Sequence, residues 1–508
     1  MKVCAIVDFG SQYTQLIARR LRELRVFSQI IQASELPAFL KKPECSGVIL
    51  SGGPMSVLDP KAPQLPLSLS EIKVPVLGIC YGLQYIAKEL GGRVDSQIAR
   101  EYGVEEIDCE VSELFHEAGS QAVLMSHGDH VEIPPPGFRV VARSRSKVVA
   151  AIENSDRRIF GLQFHPEVVH SKRGGELLCR FLEKCGFGFD WEPSQIFDQM
   201  VADLKAQVKE GRILCAVSGG VDSTVLAVLL HKVFPGQVDC FCVDTGLLRK
   251  GEIENLRSLF EEHFHFPIQV VNASSKFLSA LEGVVDPEEK RKTVGRVFIE
   301  VFTEESKKLS NVVYLAQGTL YPDKIESFSP HGGVSKKIKS HHNVGGLPAS
   351  LKFELIEPFQ FLFKDEVRSL GLLLGLSEDF VWRQPFPGPG LSVRILGEVT
   401  AERLSALREA DFHLQRVLRE HHWTRQLWQS FCVYLPVRSV GVMGDERTYE
   451  DCIAVRCVQS EDAMTARIAP LPPEILERIS GEIINRVRGV NRVVYDISSK
   501  PPATIEWE

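Results

Sequence analysis

Two stretches of this 508-residue chain hold residue types at spacings that could do chemistry. In Gly78-Ile79-Cys80-Tyr81-Gly82-Leu83-Gln84 a thiol follows an apolar run and stands close to a glycine on each side. Small flanking residues are what a sharp strand-to-helix turn requires, so the pattern is the thiol counterpart of a nucleophile elbow. Backbone dipoles at a helix N-terminus lower a thiol pKa and make thiolate available near neutral pH. A nucleophile of this kind needs a base and a carboxylate to orient it. His165-Pro166-Glu167 offers both: His165 to take the thiol proton and Glu167 to fix the imidazole tautomer. Gly52 and Gly53, in Ser51-Gly52-Gly53-Pro54, offer backbone N–H groups suited to an oxyanion hole. The chemistry these groups share is nucleophilic catalysis by a thiol.

The second stretch is Ser218-Gly219-Gly220-Val221-Asp222-Ser223, which follows the apolar run from Ile213 to Val217 and opens a helical pattern through Val225, Leu226, Leu229 and Leu230. A strand, a glycine loop and a helix start leave free N–H groups facing an anion, and Gly219 and Gly220 lack the Cβ atoms that would hold phosphate oxygens away. The chain contains no Gly-Lys dipeptide, so this is not the phosphate loop of kinases and motor ATPases. Asp244 ends the next strand, Val238 to Val243, where a carboxylate suits a nucleotide ribose or adenine; a helix N-cap is the competing role.

The elements that must position these groups follow from hydrophobic patterning. Val3 to Asp8, Gly47 to Leu50, Val76 to Ile79 and Ile159 to Phe164 read as strands, with helices after the first and third. Strands alternating with helices imply a parallel sheet, and Gly52, Cys80 and His165 each fall at a strand's carboxyl end. Trp191-Glu192-Pro193 reads as a linker, followed by a helix from Ser194 to Glu210. Pro385-Phe386-Pro387-Gly388-Pro389-Gly390-Leu391 reads as a boundary or rigid turn. Beyond it come a helix from Ala401 to His421, strands around Cys432 to Pro436 and Ile453 to Val458, a helix from Pro472 to Arg486 and a strand near Val493 to Ile497. The domains expected are 1–190, 191–385 and 386–508. The ending Lys500-Pro501-Pro502-Ala503-Thr504-Ile505-Glu506-Trp507-Glu508 reads as docked, because a free terminus has no use for two prolines and a tryptophan.

Bulk properties narrow the function class. Net charge is −7, which disfavours a broad nucleic-acid surface, and no apolar run is long enough for a membrane span. Twelve scattered cysteines without a CxxC pair read as reduced thiols of a cytoplasmic enzyme. A glycine-punctuated basic loop from Gly332 to Pro348, with Lys336-Lys337-Ile338-Lys339-Ser340-His341-His342 at its centre, is either a lid over phosphates or a solvated loop, and composition favours the latter.

GICYGLQ together with FHPEV resembles the class I glutamine amidotransferases over roughly residues 3 to 185. That resemblance implies a flavodoxin-like domain with a mixed or parallel sheet, and glutamine hydrolysed to glutamate and ammonia through a γ-glutamyl thioester on Cys80. Ser126-His127-Gly128-Asp129 is similar to a motif of the same family, and His127 is read as structural because His165 fills the base role. SGGVDS resembles the loop of Rossmann-like ATP pyrophosphatases, which adenylate a substrate and release pyrophosphate.

SGGVDS, VDTGLLR, QGTLYPD, IKSHHNVGGLP, PFPGPGL, MGD-RTYE and YDISSKPPATIEWE occur in the order seen in the glutamine-hydrolysing GMP synthetase family. Departures are Glu446, where glycine is expected, and Lys324, where an apolar residue is usual. The resemblance implies glutamine, ATP and XMP as substrates, and a small α+β C-terminal domain that forms a homodimer. It implies ATP over Ser218 to Ser223, with Mg²⁺ held by its phosphates and one or two carboxylates, Asp222 among them. It also implies XMP contacts from Arg291, Arg394, Lys500 and Glu506. Another amidating ligase with the same loop, such as an NAD synthetase, is the alternative, but should not carry the KPPATIEWE tail.

Overall fold

A computed structural model describes the chain except for residues 1, 97–99, 329–352, 444–445, 461–462 and 464. The basic loop therefore lies outside the described residues, as does Gly444-Asp445 of the MGD-RTYE motif. Two compact units emerge, the first built on residues 2–196 and 322–328, the second on Phe197–Tyr321 and the described chain beyond residue 352.

A nine-stranded mixed sheet forms the first unit. Ser28–Gln32, Val3–Asp8, Cys45–Leu50, Val76–Ile79 and Ile159–Leu162 lie side by side and parallel, in that order. Val149–Asn154, Arg139–Ser144, Glu101–Cys109 and Gly119–His127 continue it antiparallel. These four strands are absent from the sequence reading. Glu101–Cys109 is rich in acidic residues and half exposed, as suits an antiparallel strand with one solvated face, so it shows no apolar run. Val76–Ile79, by contrast, is buried along its whole length.

The second unit begins with a parallel five-stranded sheet ordered Gln269–Asn272, Val238–Asp244, Arg212–Ala216, Val312–Ala316, Glu354–Ile356. Arg212–Ala216 is central, and the chain moves to one side of it first and later to the other. That reversal opens a crevice at the strand's carboxyl end, which is where the glycine loop sits. After residue 400 an α+β layer follows. Its long hairpin, Gln429–Met443 with Glu446–Gln459, is longer than the strand signals suggested, and Val490–Tyr495 pairs parallel to its second arm. Helix Ala401–Glu420 starts where the Thr400 side chain accepts from Arg403 N at 3.2 Å, and it buries Leu404, Leu407, Leu414, Val417 and Leu418. Each such leucine contributes about 1.5–3 kcal/mol by leaving water. Leu214, Phe241 and Leu315 of the parallel sheet share one hydrophobic core with Leu407, Leu414, Cys432, Ile453 and Ile483, so the core runs on across residue 385.

Candidate active sites

Three neighbouring parallel strands of the first unit deliver the thiol site. Cys80 follows Val76–Ile79, Gly52 and Gly53 follow Cys45–Leu50, and His165 follows Ile159–Leu162. Cys80 is held at φ +51°, ψ −104°, a conformation costly for a residue with a Cβ and typical of a nucleophile forced out of a strand into a helix. Its N–H is tied to Leu162 O at 2.7 Å, and the helix Tyr81–Glu89 begins at the next residue. Gly82 is required by closeness: a Cβ there would come within 2.3 Å of Leu50 O.

Glu167 Oε1 lies 2.7 Å from His165 Nδ1, and both side chains are buried. Burial alone would lower the His165 pKa, but the Glu167 carboxylate and a hydrogen bond with the Cys80 side chain push it up to about 10. The pair is thereby poised as imidazolium beside sulfur, the form in which a cysteine attacks a carbonyl carbon. A Cβ on Gly52 would lie 3.2 Å from His165 Cε1, so Gly52 borders the imidazole directly. Tyr13 adds an edge-on ring 4.9 Å from the same imidazole, and Ser171 Oγ donates to His165 O at 2.6 Å. His127 pairs instead with Glu101 at 3.3 Å, and burial lowers its pKa against the pull of that carboxylate. The Cys80 sulfur has two further polar neighbours, Ser126 O at 3.7 Å and Gln163 Nε2 at 3.8 Å. Tyr13, Ser171 and Gln163 escaped the sequence reading. Gln163 alone left a trace there, as a polar residue inside the buried run from Phe160 to Phe164.

In the second unit the glycine loop joins the central strand to helix Val221–Val233. Gly219 adopts φ +77°, which favours glycine, and the space where its Cβ would stand is open. Ser223 Oγ accepts from Ser218 N at 3.1 Å and lies 3.0 Å from Ser218 Oγ, so the two serines brace the loop from within. Asp222 Oδ2 is paired with Lys364, which begins helix Lys364–Leu373, while Asp222 Oδ1 is buried without a protein partner. Such an orphaned carboxylate oxygen suits a divalent cation that takes its other ligands from phosphates and water. Among the described residues no cluster of three or more His, Cys, Asp or Glu side chains could cage a metal by itself.

Asp244 is not a helix N-cap. Its Oδ1 accepts from Gly246 N at 2.9 Å and shapes the turn after the strand, and the next helix starts only at Glu252. Arg408, on the long C-terminal helix, donates to Leu248 O at 3.0 Å and braces the same turn.

The C-terminal tail is docked. Arg456, fully buried, donates to Ile505 O at 2.7 Å, Thr504 O at 2.8 Å and Ser498 O at 3.1 Å, and pairs with Asp496 at 2.6 Å. Arg394 ends the short turn Gly390–Arg394, has no exposed surface, and meets Glu506 with Nη2–Oε1 at 2.8 Å and Nε–Oε2 at 3.1 Å. Arg291, on helix Pro287–Ser306, donates to Glu508 O, and its neighbour Lys290 pairs with the Glu508 carboxylate at 2.6 Å. Three of the four expected XMP contacts thus converge on the last residues of the chain. Lys500 is held separately, its Nζ donating to Ala463 O at 2.8 Å.

Two family models match this chain: glutamine amidotransferase class-I over residues 5–185, and GMP synthase C terminal domain over residues 416–507. The chain is 52% identical to the glutamine-hydrolyzing GMP synthase of Oleidesulfovibrio alaskensis over 99% of its own length and 98% of that protein. It is 50% identical to the enzyme of the same name from Thermosynechococcus vestitus, covering all of this chain and 96% of the relative. The Nitratiruptor enzyme is 51% identical over 99% of each chain.

Proposed function

Because the chain belongs to the glutamine-hydrolysing GMP synthase family, we propose that it aminates XMP to GMP with ammonia taken from glutamine, at the expense of ATP. One observation carries the reading: a thiol–imidazole–carboxylate line and a lysine-free anion loop both stand complete on one chain.

In the first unit the Cys80 thiolate attacks the glutamine carboxamide carbon, and the oxyanion that forms draws on the N–H groups at Gly52 and Gly53. His165, charged beside Glu167, gives its proton to the departing nitrogen, and ammonia leaves a γ-glutamyl thioester. His165 then takes a proton from water, whose attack releases glutamate and restores the thiol. In the second unit ATP lies over Ser218, Gly219, Gly220, Val221, Asp222 and Ser223. XMP O2 attacks the α phosphorus, pyrophosphate departs, and ammonia displaces AMP from C2. The loop supplies N–H donors to the departing pyrophosphate, so its contribution is positional and electrostatic. Mg²⁺ held at Asp222 would add charge neutralisation on the phosphates. Asp244 ends the adjacent strand, and a carboxylate there suits a contact with the nucleotide's ribose or adenine. XMP is met by Arg291, Arg394, Lys500 and Glu506, which the docked tail supports.

The three domains 1–190, 191–385 and 386–508 belong to this reading, as does a homodimer formed through the last. Val440, Val442 and Tyr449 are exposed on one face of the hairpin, Val440 directly opposite Tyr449, and such a patch suits a second copy. All twelve cysteines are unpaired, which fits a reducing compartment such as the cytoplasm. Among the described residues no helix is long and apolar enough to cross a membrane. The test is nucleotide-dependent pyrophosphate release with XMP, deamido-NAD or aspartate as acceptor. Release with XMP alone is expected, and release with deamido-NAD instead would overturn the assignment.

A further inference from the structure

We propose that Gln163 is a catalytic residue of the glutamine-hydrolysing centre, its carboxamide N–H donating to the Cys80 sulfur and favouring thiolate over thiol. This rests on the reading of Cys80 as nucleophile. Gln163 has no exposed surface, and its Nε2 stands 3.8 Å from Sγ. Its backbone is pinned by the bond from Gln163 N to Ala150 O at 2.9 Å, and the preceding carbonyl, Leu162 O, accepts from Cys80 N at 2.7 Å. The amide and the sulfur are therefore set by the same pair of strands.

Burying a glutamine completely is costly unless its amide has a task, and Gln163 Oε1 has no protein partner. The orientation that satisfies Nε2 on sulfur is thus taken although it leaves the oxygen unsatisfied. Turned over, the amide would present Oε1 to a sulfur that already faces Ser126 O at 3.7 Å. A thiolate between two acceptor oxygens would be disfavoured. With the amide as found, the sulfur has an acceptor for its proton when it is a thiol, and a donor in addition to His165 when it is charged. A hydrogen bond to the charged form stabilises that form.

The test uses the full chain with Gln163→Met, similar in length but without a donor, and Gln163→Glu, similar in shape but an acceptor. Iodoacetamide alkylation at Cys80, located by peptide mass, is followed against pH. Loss of the donor is expected to move the midpoint up by about one pH unit in Gln163→Met, and further in Gln163→Glu. At pH values below the wild-type midpoint this gives about a tenfold slower glutamate release that recovers as pH rises, with synthesis from added ammonium unchanged. Alkylation profiles that overlay the wild type in both variants would overturn the proposal. Should Gln163→Met also lose ammonium-dependent synthesis, the Gln163→Glu profile decides. Failure of the underlying reading looks different: Cys80→Ala would then still release glutamate.

Discussion

Replacing Glu506 by glutamine isolates the charge that balances Arg394. The Arg394 guanidinium has no exposed surface and lies 4.1 Å from the Phe431 ring centroid and 5.2 Å from that of Phe386. Glu506 is its carboxylate partner, itself also bonded to Gln429 Nε2 at 2.5 Å. Removing one member of a buried pair costs about 3–5 kcal/mol, because the other charge is left in a poor solvent. Two features reduce that here: the Glu506 side chain is 21% exposed, and a glutamine oxygen can still accept one bond. The expected loss is about 2–3 kcal/mol, which at roughly 2–4 °C per kcal/mol lowers the melting transition of the second unit by about 5–10 °C. Calorimetry with and without XMP reads it, since a ligand bound through Glu506 adds a stabilisation that the variant should lose. The double variant Arg394→Met, Glu506→Met should regain much of the stability, as apolar replacement of a buried pair is often near neutral, while XMP-dependent pyrophosphate release stays low. A single variant within about 0.5 kcal/mol of wild type would refute the account of Arg394 as a buried charge held by Glu506.

Cys80→Ala should abolish glutamate formation and glutamine-dependent synthesis while synthesis from ammonium persists; loss of both in a folded protein would end the two-centre reading. Glu167→Gln should let burial draw the His165 pKa down. Because wild-type His165 is raised from 6.5 to about 10, its protonation stabilises the fold fully below pH 6.5 and ceases to as pH passes about 10. The urea-midpoint gap between wild type and variant should therefore be widest in acid and narrow toward pH 10, and a gap that widens with pH contradicts it. Asp222→Asn should cut XMP-dependent pyrophosphate release by roughly 10²-fold, with basal glutamate formation intact; near-normal release would remove Asp222 from the ATP site. Lys500→Ala should raise the XMP concentration for half-maximal rate about tenfold, whereas an unchanged titration with a lower melting temperature would make Lys500 a clamp on Ala463 only.

The sequence by itself determined the features that depend on a few consecutive residues. Gly78 to Gly82 specifies an elbow because close packing there excludes side chains, and Ser218 to Ser223 specifies a tight strand-to-helix loop because Gly219 takes a φ of +77° that favours glycine. Val3–Asp8, Cys45–Leu50, Val76–Ile79, Ile159–Leu162, Arg212–Ala216 and Val238–Asp244 were legible because buried strands read as apolar runs, whereas the outer parallel strands Ser28–Gln32, Gln269–Asn272 and Glu354–Ile356, only partly buried, were not. The strand Glu101–Cys109 was not legible either, because a strand with a solvated face carries acidic residues that resemble loop, whereas Val149–Asn154 is buried throughout and escaped the reading without that excuse. For Asp244 the N-cap weighed against a nucleotide contact is excluded only by the fold, because nothing local says whether a carboxylate closes a turn or starts a helix. Tertiary structure alone decided the partners: Lys364 for Asp222, Glu506 for Arg394, the tail carbonyls for Arg456, and the Gln163 amide on the Cys80 sulfur. The physical reason is that a side chain's type states which charges or hydrogen bonds it can make, whereas its partner is chosen by strand register and helix packing. Arg394 and Glu506 are 112 residues apart in sequence, and only the folded chain brings the carboxylate to a guanidinium that has no exposed surface of its own.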